Sequence, residues 1–225
     1  MSVDSAPPFS IRDCALLSIA TGWRIYTLGE LRAGVAAADD ETIYFHFWGS
    51  LLQPRFEERE FNNDFAAWIR HDLHDAKLAE QVAVVDPREF PNLGVLKSEL
   101  LDLIDERLVE AEYLHFSRSV RPFEFMRAQI VVFGTDKSVT NPEQLGELVP
   151  QLSVSSIFYH FIDARRRVPT AGDDFSAWLA NFGETGTRLC DRLAQVDPYF
   201  IPLTILRDQL AAIFAEELGG DHAAR

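Results

Sequence analysis

The sequence repeats one hexapeptide, and this repetition constrains the fold more than any other feature. Residues 42–47 read TIYFHF and residues 156–161 read SIFYHF, so that His46 and His160 are 114 residues apart (160 − 46). Further pairs recur in the same order: Pro8-Phe9 and Pro122-Phe123, Asp64-Phe65 and Asp174-Phe175, Trp68 and Trp178, and Asp86-Pro87 and Asp197-Pro198. We interpret this pattern as an internal duplication.

Helix signals occur at corresponding places in both copies. Thr27 and Asn141 are good N-cap residues, because their side-chain oxygens accept unpaired backbone N–H groups. On a helical wheel the histidine segments 42–53 and 156–167 carry a wide apolar face, and each histidine lies on the narrow remaining seam. The apolar runs 14–20 and 128–133 are interpreted as helices, although a buried strand has the same pattern at this length.

These signals predict an all-α fold. We expect about five helices in each copy and a pseudo-twofold arrangement of the two copies in one compact body. The predicted boundaries are 8–116 for the first copy and 122–218 for the second. Residues 1–7 and 219–225 are predicted to be disordered tails.

Charge and composition exclude several classes of protein. The chain of 225 residues has a formal net charge of −14, which disfavours binding to nucleic acids and to anionic membranes. No run approaches the ~20 apolar residues that span a bilayer, and the N-terminus lacks a signal-peptide pattern. Cys14 and Cys190 do not correspond under the repeat, which indicates two reduced thiols and a cytoplasmic location.

The repeated residues also resemble an uncharacterised prokaryotic family, a domain of unknown function. The family pattern is an opening Phe-x-Phe, a Ser-Ile-Tyr-Tyr-His-Phe-like segment, Asp-Phe-x-x-Trp, and Asp-Pro before a final helix. The second copy matches it closely at 123–125, 156–161, 174–178 and 197–198, whereas the first departs at Ile11 and Thr42. This resemblance covers nearly the whole chain and implies a helical, internally duplicated fold with an unsettled function.

The histidines and nearby carboxylates are the candidate site. A histidine beside a carboxylate can serve as a general base, with the carboxylate fixing the ring tautomer. The alternative is structural: each histidine makes one hydrogen bond across a helix crossing, and each aspartate caps a helix. We predict no metal, since the sequence lacks paired ligand motifs. The candidate ligand-binding residues are His46, His160, Tyr44, Tyr159, Asp64, Asp174, Arg165, Arg166 and Arg167.

The run Arg165-Arg166-Arg167 follows the second histidine segment. Three arginines in an acidic chain can hold a phosphate, a carboxylate or an acidic partner. They can equally be a solvated helix end, where cations oppose the helix dipole favourably. Both interpretations remain open from the sequence alone.

Two functions follow as expectations. The first is a non-enzymatic module that binds a partner protein or a small ligand, without a cofactor. The second is an enzyme or ligand sensor with a site between the copies, around His46 and His160. Nucleic acids and membranes are not expected partners, and the sequence allows a homo-oligomer.

Overall fold

The computed structural model describes residues 6–52, 60–167 and 172–219. Residues 1–5 and 220–225 of the predicted tails lie outside this range. The α-helices are α1 (Leu28–Ala37), α2 (Asp40–Trp48), α3 (Asp64–His71), α4 (Ala76–Ala83), α5 (Leu93–Glu110), α6 (Pro142–Leu148), α7 (Val154–Ile157), α8 (Ala164–Arg167), α9 (Asp174–Leu179), α10 (Gly183–Ala194) and α11 (Leu203–Gly219). The strands are β1 (Phe9–Ile25) and β2 (Phe123–Val139). Short 3₁₀ turns cover Gly49–Leu52, Pro87–Glu89, Glu112–His115 and Val149–Gln151, and a π-helical turn covers Phe158–Asp163.

The two strands show that the predicted all-α class is wrong. The described residues are 61% helix and 17% strand, so the class is mixed α/β. The sequence contains the reason, because buried Phe123 and Phe125 flank exposed Glu124. Positions i and i+2 share a face only in a strand, since a helix would turn them about 200° apart. The runs at 14–20 and 128–133, interpreted as helices, belong to these strands.

Strands β1 and β2 form one antiparallel two-stranded sheet. The Thr21 hydroxyl donates to the carbonyl of Phe125 at 2.7 Å, and the Thr135 hydroxyl donates to the carbonyl of Ile11 at 2.7 Å. These contacts run in opposite directions along the two strands, as antiparallel pairing requires. The two threonines are themselves 114 residues apart (135 − 21).

The chain divides into two compact units, and each strand contributes to both. The first unit is residues 16–130, and the second unit comprises the described parts of 1–15 and 131–225. The start of β2 therefore lies in the same unit as helices α1–α5. The start of β1 lies in the same unit as helices α6–α11. Each unit thus joins the helices of one predicted copy to the opening strand segment of the other.

Apolar stripes on the longest helices build the core of each unit. In the first unit α5 buries Leu96, Leu100, Ile104 and Leu108. In the second unit α11 buries Leu203, Leu206, Leu210, Ile213 and Phe214. Spacings of three and four residues place these side chains on one helix face. The 42–47 segment is buried on all sides, so the narrow seam expected around His46 is not open to solvent.

The predicted helix starts are confirmed where capping residues identified them. Thr27 accepts a hydrogen bond from the amide of Glu30, and Asn141 accepts one from the amide of Gln144. Pro142 occupies the first helical turn after Asn141, where a missing N–H costs nothing. The histidine helices begin after Asp39 and Ser153, whose side chains also cap.

Candidate functional site

His46 is buried in the first unit and both of its ring nitrogens are engaged. The residue lies in α2 and is only 2% exposed. Its Nδ1 lies 3.0 Å from Oδ2 of Asp64, at the start of α3. Its Nε2 accepts a hydrogen bond from the backbone N–H of Met126 at 3.1 Å. The ring therefore connects two helices and the opening of β2.

His160 makes the same three-way connection in the second unit. It lies in the π-helical turn and is also 2% exposed. Its Nδ1 lies 2.8 Å from Oδ2 of Asp174, and its Nε2 accepts from the backbone N–H of Arg12 at 2.9 Å. Arg12 corresponds to Met126 under the 114-residue offset (126 − 12), so the two contacts are equivalent in the sequence.

These contacts fix the tautomer of both rings. A backbone N–H can only donate, so each Nε2 must be unprotonated and accept. Each Nδ1 then carries the proton and donates a hydrogen bond to the aspartate. The basic nitrogen of each ring is occupied by the strand, so it could take a proton from a substrate only after that strand contact had broken.

The aspartates are not the helix caps that the sequence suggested. Asn63 caps α3 and Asp173 caps α9, each accepting from the amide three residues later. Asp64 and Asp174 are instead the first residues inside these helices. Their carboxylates do not cap the helices, so each can accept a hydrogen bond from its histidine.

The second unit adds a cationic side chain to its histidine pair. Arg167 donates to Asp174 at 3.0 Å and to Asp163 at 2.9 Å. It also donates to the carbonyl of Tyr159 at 2.8 Å, and its guanidinium lies 3.9 Å from the centre of the Tyr159 ring. These contacts connect five residues, which we call the Arg167 cluster: Tyr159, His160, Asp163, Arg167 and Asp174.

The remaining candidate residues lie around or away from these pairs. Arg166 contacts Asp163 at 3.2 Å, and the Arg165 guanidinium lies 5.0 Å from the centre of the Phe161 ring. Tyr44 is buried and stacks on Trp48 with the ring centres 4.9 Å apart. The structure therefore brings Tyr159 and Arg167 to a histidine pair, and it places Tyr44 against an aromatic neighbour.

Asp163 is the residue that sequence reasoning did not single out. It is 1% exposed and binds both Arg166 and Arg167. Its signal was the i+3 and i+4 spacing to those arginines, which places opposite charges together on one helix face. The strand amides that reach the histidines had no signal, because a backbone N–H leaves no trace in the residue pattern.

Within the Arg167 cluster, the carboxylate of Asp174 accepts hydrogen bonds from both His160 and Arg167. Burial would raise the pKa of Asp174, but hydrogen bonds from His160 and Arg167 outweigh it and hold the pKa below its ordinary value. Burial raises the pKa of the capping residue Asp173. An ionised Asp174 between two donors is a structural anchor.

Removing this charge should make the second unit less stable at neutral pH. We expect Asp174→Asn to cost about 2 kcal/mol at pH 7, because two hydrogen bonds lose their ionised acceptor. The lowered pKa of Asp174 means that this stabilisation is complete above the unfolded carboxyl pKa near ~4 and is lost as the pH falls through the folded value. Urea unfolding at pH 7 and at pH 3 should show the difference from wild type shrinking with acid.

The matched control is Asp102→Asn, because Asp102 is exposed on α5. It should change the free energy of unfolding by less than about 0.5 kcal/mol at either pH. An Asp174→Asn variant with wild-type stability at pH 7 would contradict the anchoring role.

The thiols do not add a nucleophile to either histidine pair. Burial raises the pKa of Cys14 to about 12, and its sulfur lies 3.4 Å from the carbonyl oxygen of Ser155. Burial also raises the pKa of Cys190. Among residues 6–52, 60–167 and 172–219, no three histidine, cysteine or acidic side chains cluster as metal ligands would.

One solved structure shares the architecture. The chain is similar to "The structure of OrfY from Thermoproteus tenax", with a TM-score of 0.80 and 25% sequence identity. The similarity covers 95% of this chain and 97% of that chain. No curated protein matches the sequence. Over the described part of the chain, none of the helices has the length and apolarity to cross a membrane.

The family comparison confirms the resemblance to an uncharacterised family and corrects one implication of it. The helical fold that the resemblance implied is wrong, because β1 and β2 are part of the matched region. The match extends over residues 6–215 and so includes both histidine pairs. The chain therefore belongs to DUF5752, a family of unknown function.

Proposed function

We propose that this protein is a non-enzymatic module that binds a partner protein. The observation that carries the proposal is a series of exposed apolar side chains, close together in the sequence, at the end of α5 and in the segment after it. Val109 is 86% exposed, Tyr113 is 65% exposed, and Phe116 and Val120 are each 83% exposed. Exposed apolar side chains that occur close together mark interaction surfaces more often than isolated ones do. We call these four residues the 109–120 surface.

Local charge specifies the chemistry of the partner. Residues 113–122 read YLHFSRSVRP and contain no acidic residue, whereas Glu110 and Glu112 lie at the start of the 109–120 surface and the chain as a whole has a net charge of −14. Arg118 lies over the ring of Tyr26 at 3.9 Å, and Arg121 is bound to Asp72 at 2.7 Å with its side chain 74% exposed. The complementary partner is a segment with apolar side chains and acidic neighbours.

The overall negative charge does not prevent such binding. At physiological salt the Debye length is about 8 Å, so an approaching segment responds mainly to the charges nearest to it. Near Phe116 and Val120 those charges include two arginines. The remote carboxylates slow the encounter more than they weaken the final contact.

The enzyme and ligand-sensor alternatives find less support at the histidines. A general base needs a free basic nitrogen, and Nε2 of each ring is bound to a strand amide. Arg167 binds Asp163 and Asp174, so an anionic ligand would have to displace these carboxylates. A thermal-shift screen would favour this alternative if a metabolite raised the melting temperature of the wild type but not of Asp174→Asn.

Two broader features belong to the same proposal. We regard the chain as the product of an internal duplication, which the equivalent hydrogen bonds of His46 and His160 support. An alignment of family members in which these two histidines fail to correspond would contradict it. The free thiols Cys14 and Cys190 support a cytoplasmic location, which cell fractionation can test.

A peptide-binding experiment tests the partner proposal. The probe is a fluorescent helical peptide of about 20 residues that carries leucines on one face and glutamates beside them. We expect micromolar binding to the full chain by fluorescence anisotropy, and binding at least about tenfold weaker for a Phe116→Ser/Val120→Ser double variant. A second peptide, in which serine replaces every leucine, should not bind.

The control variant is Ile205→Ser, which removes a 47% exposed side chain from α11 in the second unit. It should bind the leucine peptide as tightly as the wild type does. The proposal fails if the wild type does not bind the leucine peptide, or if the double variant is folded and binds it with unchanged affinity.

A further inference from the structure

The middle of each strand is uncharged. Residues 14–23 read CALLSIATGW and residues 128–135 read AQIVVFGT, and neither stretch contains a charged side chain. In an acidic chain in which a quarter of the residues are charged, two such stretches on the same sheet require an explanation. Burial in a core would provide one, but most of the side chains here are exposed.

In the second unit, three consecutive apolar residues of β2 are accessible. Val131 is 42% exposed, Val132 is 38% exposed and Phe133 is 48% exposed. Successive strand residues point to opposite faces, so both faces of β2 are accessible here. The described residues place two strands in the sheet, so β2 has one edge that no third strand covers.

In the first unit, β1 presents the corresponding residues. Leu17 is 47% exposed and Ile19 is 42% exposed, and they precede Val131 and Phe133 by 114 residues (131 − 17 and 133 − 19). Proteins normally protect a strand edge with charge, proline or a covering element, because a bare edge pairs with another strand. Neither uncharged stretch contains proline.

We propose that a second copy of this chain pairs with β2 at Val131, Val132 and Phe133. Charge favours a second copy over an unrelated partner. Two identical acidic chains repel each other at most surfaces, and they approach at least cost where neither carries charge. A surface evolved for a different partner usually carries charged residues that complement it, and the 109–120 surface does contain charged residues.

Geometry also permits self-pairing at this place. An antiparallel pair of identical strands has twofold symmetry, so each copy presents the same residues to the other. If the pair is centred on Val132, then Phe133 of one copy lies opposite Val131 of the other. Side chains that lie directly opposite each other on two paired strands interact directly.

The size of the contact sets the expected strength. Residues 128–135 extend over roughly 27 Å as a strand. The resulting contact is smaller than the ~800 Å² per partner of a standard interface. We therefore expect a reversible dimer whose dissociation constant is in the micromolar range.

Sedimentation velocity on the full chain tests the proposal. From ~1 µM to ~1 mM the wild type should shift from monomer to dimer. Phe133→Asp and, separately, Val131→Lys should each raise the dissociation constant at least about tenfold, because each places two like charges in the contact. Mixing these two variants should restore the dimer, since the new carboxylate of one chain would then lie opposite the new ammonium group of the other.

The matched control is Phe200→Asp, which places the same charge at a phenylalanine that is 44% exposed and lies outside the strands, and it should leave the dimer unchanged. Circular dichroism checks the fold of each variant, and Val131→Lys carries the test alone if Phe133→Asp does not fold. The proposal is overturned if the wild type stays monomeric at ~1 mM, or if folded strand variants dimerise as tightly as the wild type. A mixture that remains monomeric while the wild type dimerises also overturns it.

Discussion

Replacement of either buried histidine by alanine should destabilise the protein by about 3–5 kcal/mol. His46→Ala removes the acceptor for the amide of Met126 and the donor to Asp64, and His160→Ala does the same for Arg12 and Asp174. The loss combines a cavity left by a ring that is 2% exposed with a strand amide that has lost its acceptor. Urea unfolding followed by circular dichroism measures it.

The chain provides a control for this substitution. His71 has a side chain that is 49% exposed and pairs with the exposed Glu60, so that His71→Ala should cost less than about 0.5 kcal/mol. His46→Gln should recover part of the loss, because its amide oxygen can accept from Met126. Normal melting of His46→Ala and His160→Ala together with lost binding of a small ligand would assign the histidines to a ligand site instead.

The second large effect is expected at the opening of β2. Phe125→Ala should cost about 3–5 kcal/mol, since it empties a core position that is 1% exposed. The Phe125 ring lies 5.0 Å from Phe123 and 5.7 Å from Trp23, and a Cβ at Gly34 would meet it at 2.5 Å. Such close packing leaves little freedom for the neighbours to fill the cavity.

Phe116→Ala is the matched control, because it makes the same change at a residue that is 83% exposed. It should alter the free energy of unfolding by less than about 0.5 kcal/mol. A loss below about 1 kcal/mol for Phe125→Ala, measured by the same urea titration, would show that the β2 opening is not part of the first unit's core.

The sequence predicted local features well where a side chain makes the relevant contact. Thr27 and Asn141 identified helix starts because capping depends on the side chain of the residue itself. These features require only neighbouring residues, so tertiary context could not change them.

The strands were missed because their apolar runs were weighed by hydrophobicity alone. A helix and a strand are equally compatible with a short apolar run, so hydrophobicity alone does not distinguish them at 14–20 and 128–133. The Phe-x-Phe alternation at 123–125 was the better signal. The partners of Nε2 could not be predicted, because nearly every residue type has a backbone amide and only the fold decides which one reaches His46 or His160.

We propose that the interior and the surface of each unit have different roles. The histidines hold the strand openings inside each unit, and we propose that exposed apolar residues of the 109–120 surface and of β2 contact other molecules. Under this proposal the two histidine–aspartate pairs are structural and do not act as bases.

The most direct test is a ¹⁵N NMR measurement of the two imidazole rings at pH 7, with each histidine assigned by comparison with its alanine variant. We expect a protonated Nδ1 and an unprotonated Nε2 in both His46 and His160, with a through-hydrogen-bond coupling from Nε2 to the amide of Met126 or Arg12. A ring protonated on Nε2, or one whose Nε2 shows no coupling and exchanges with solvent, would contradict the structural role.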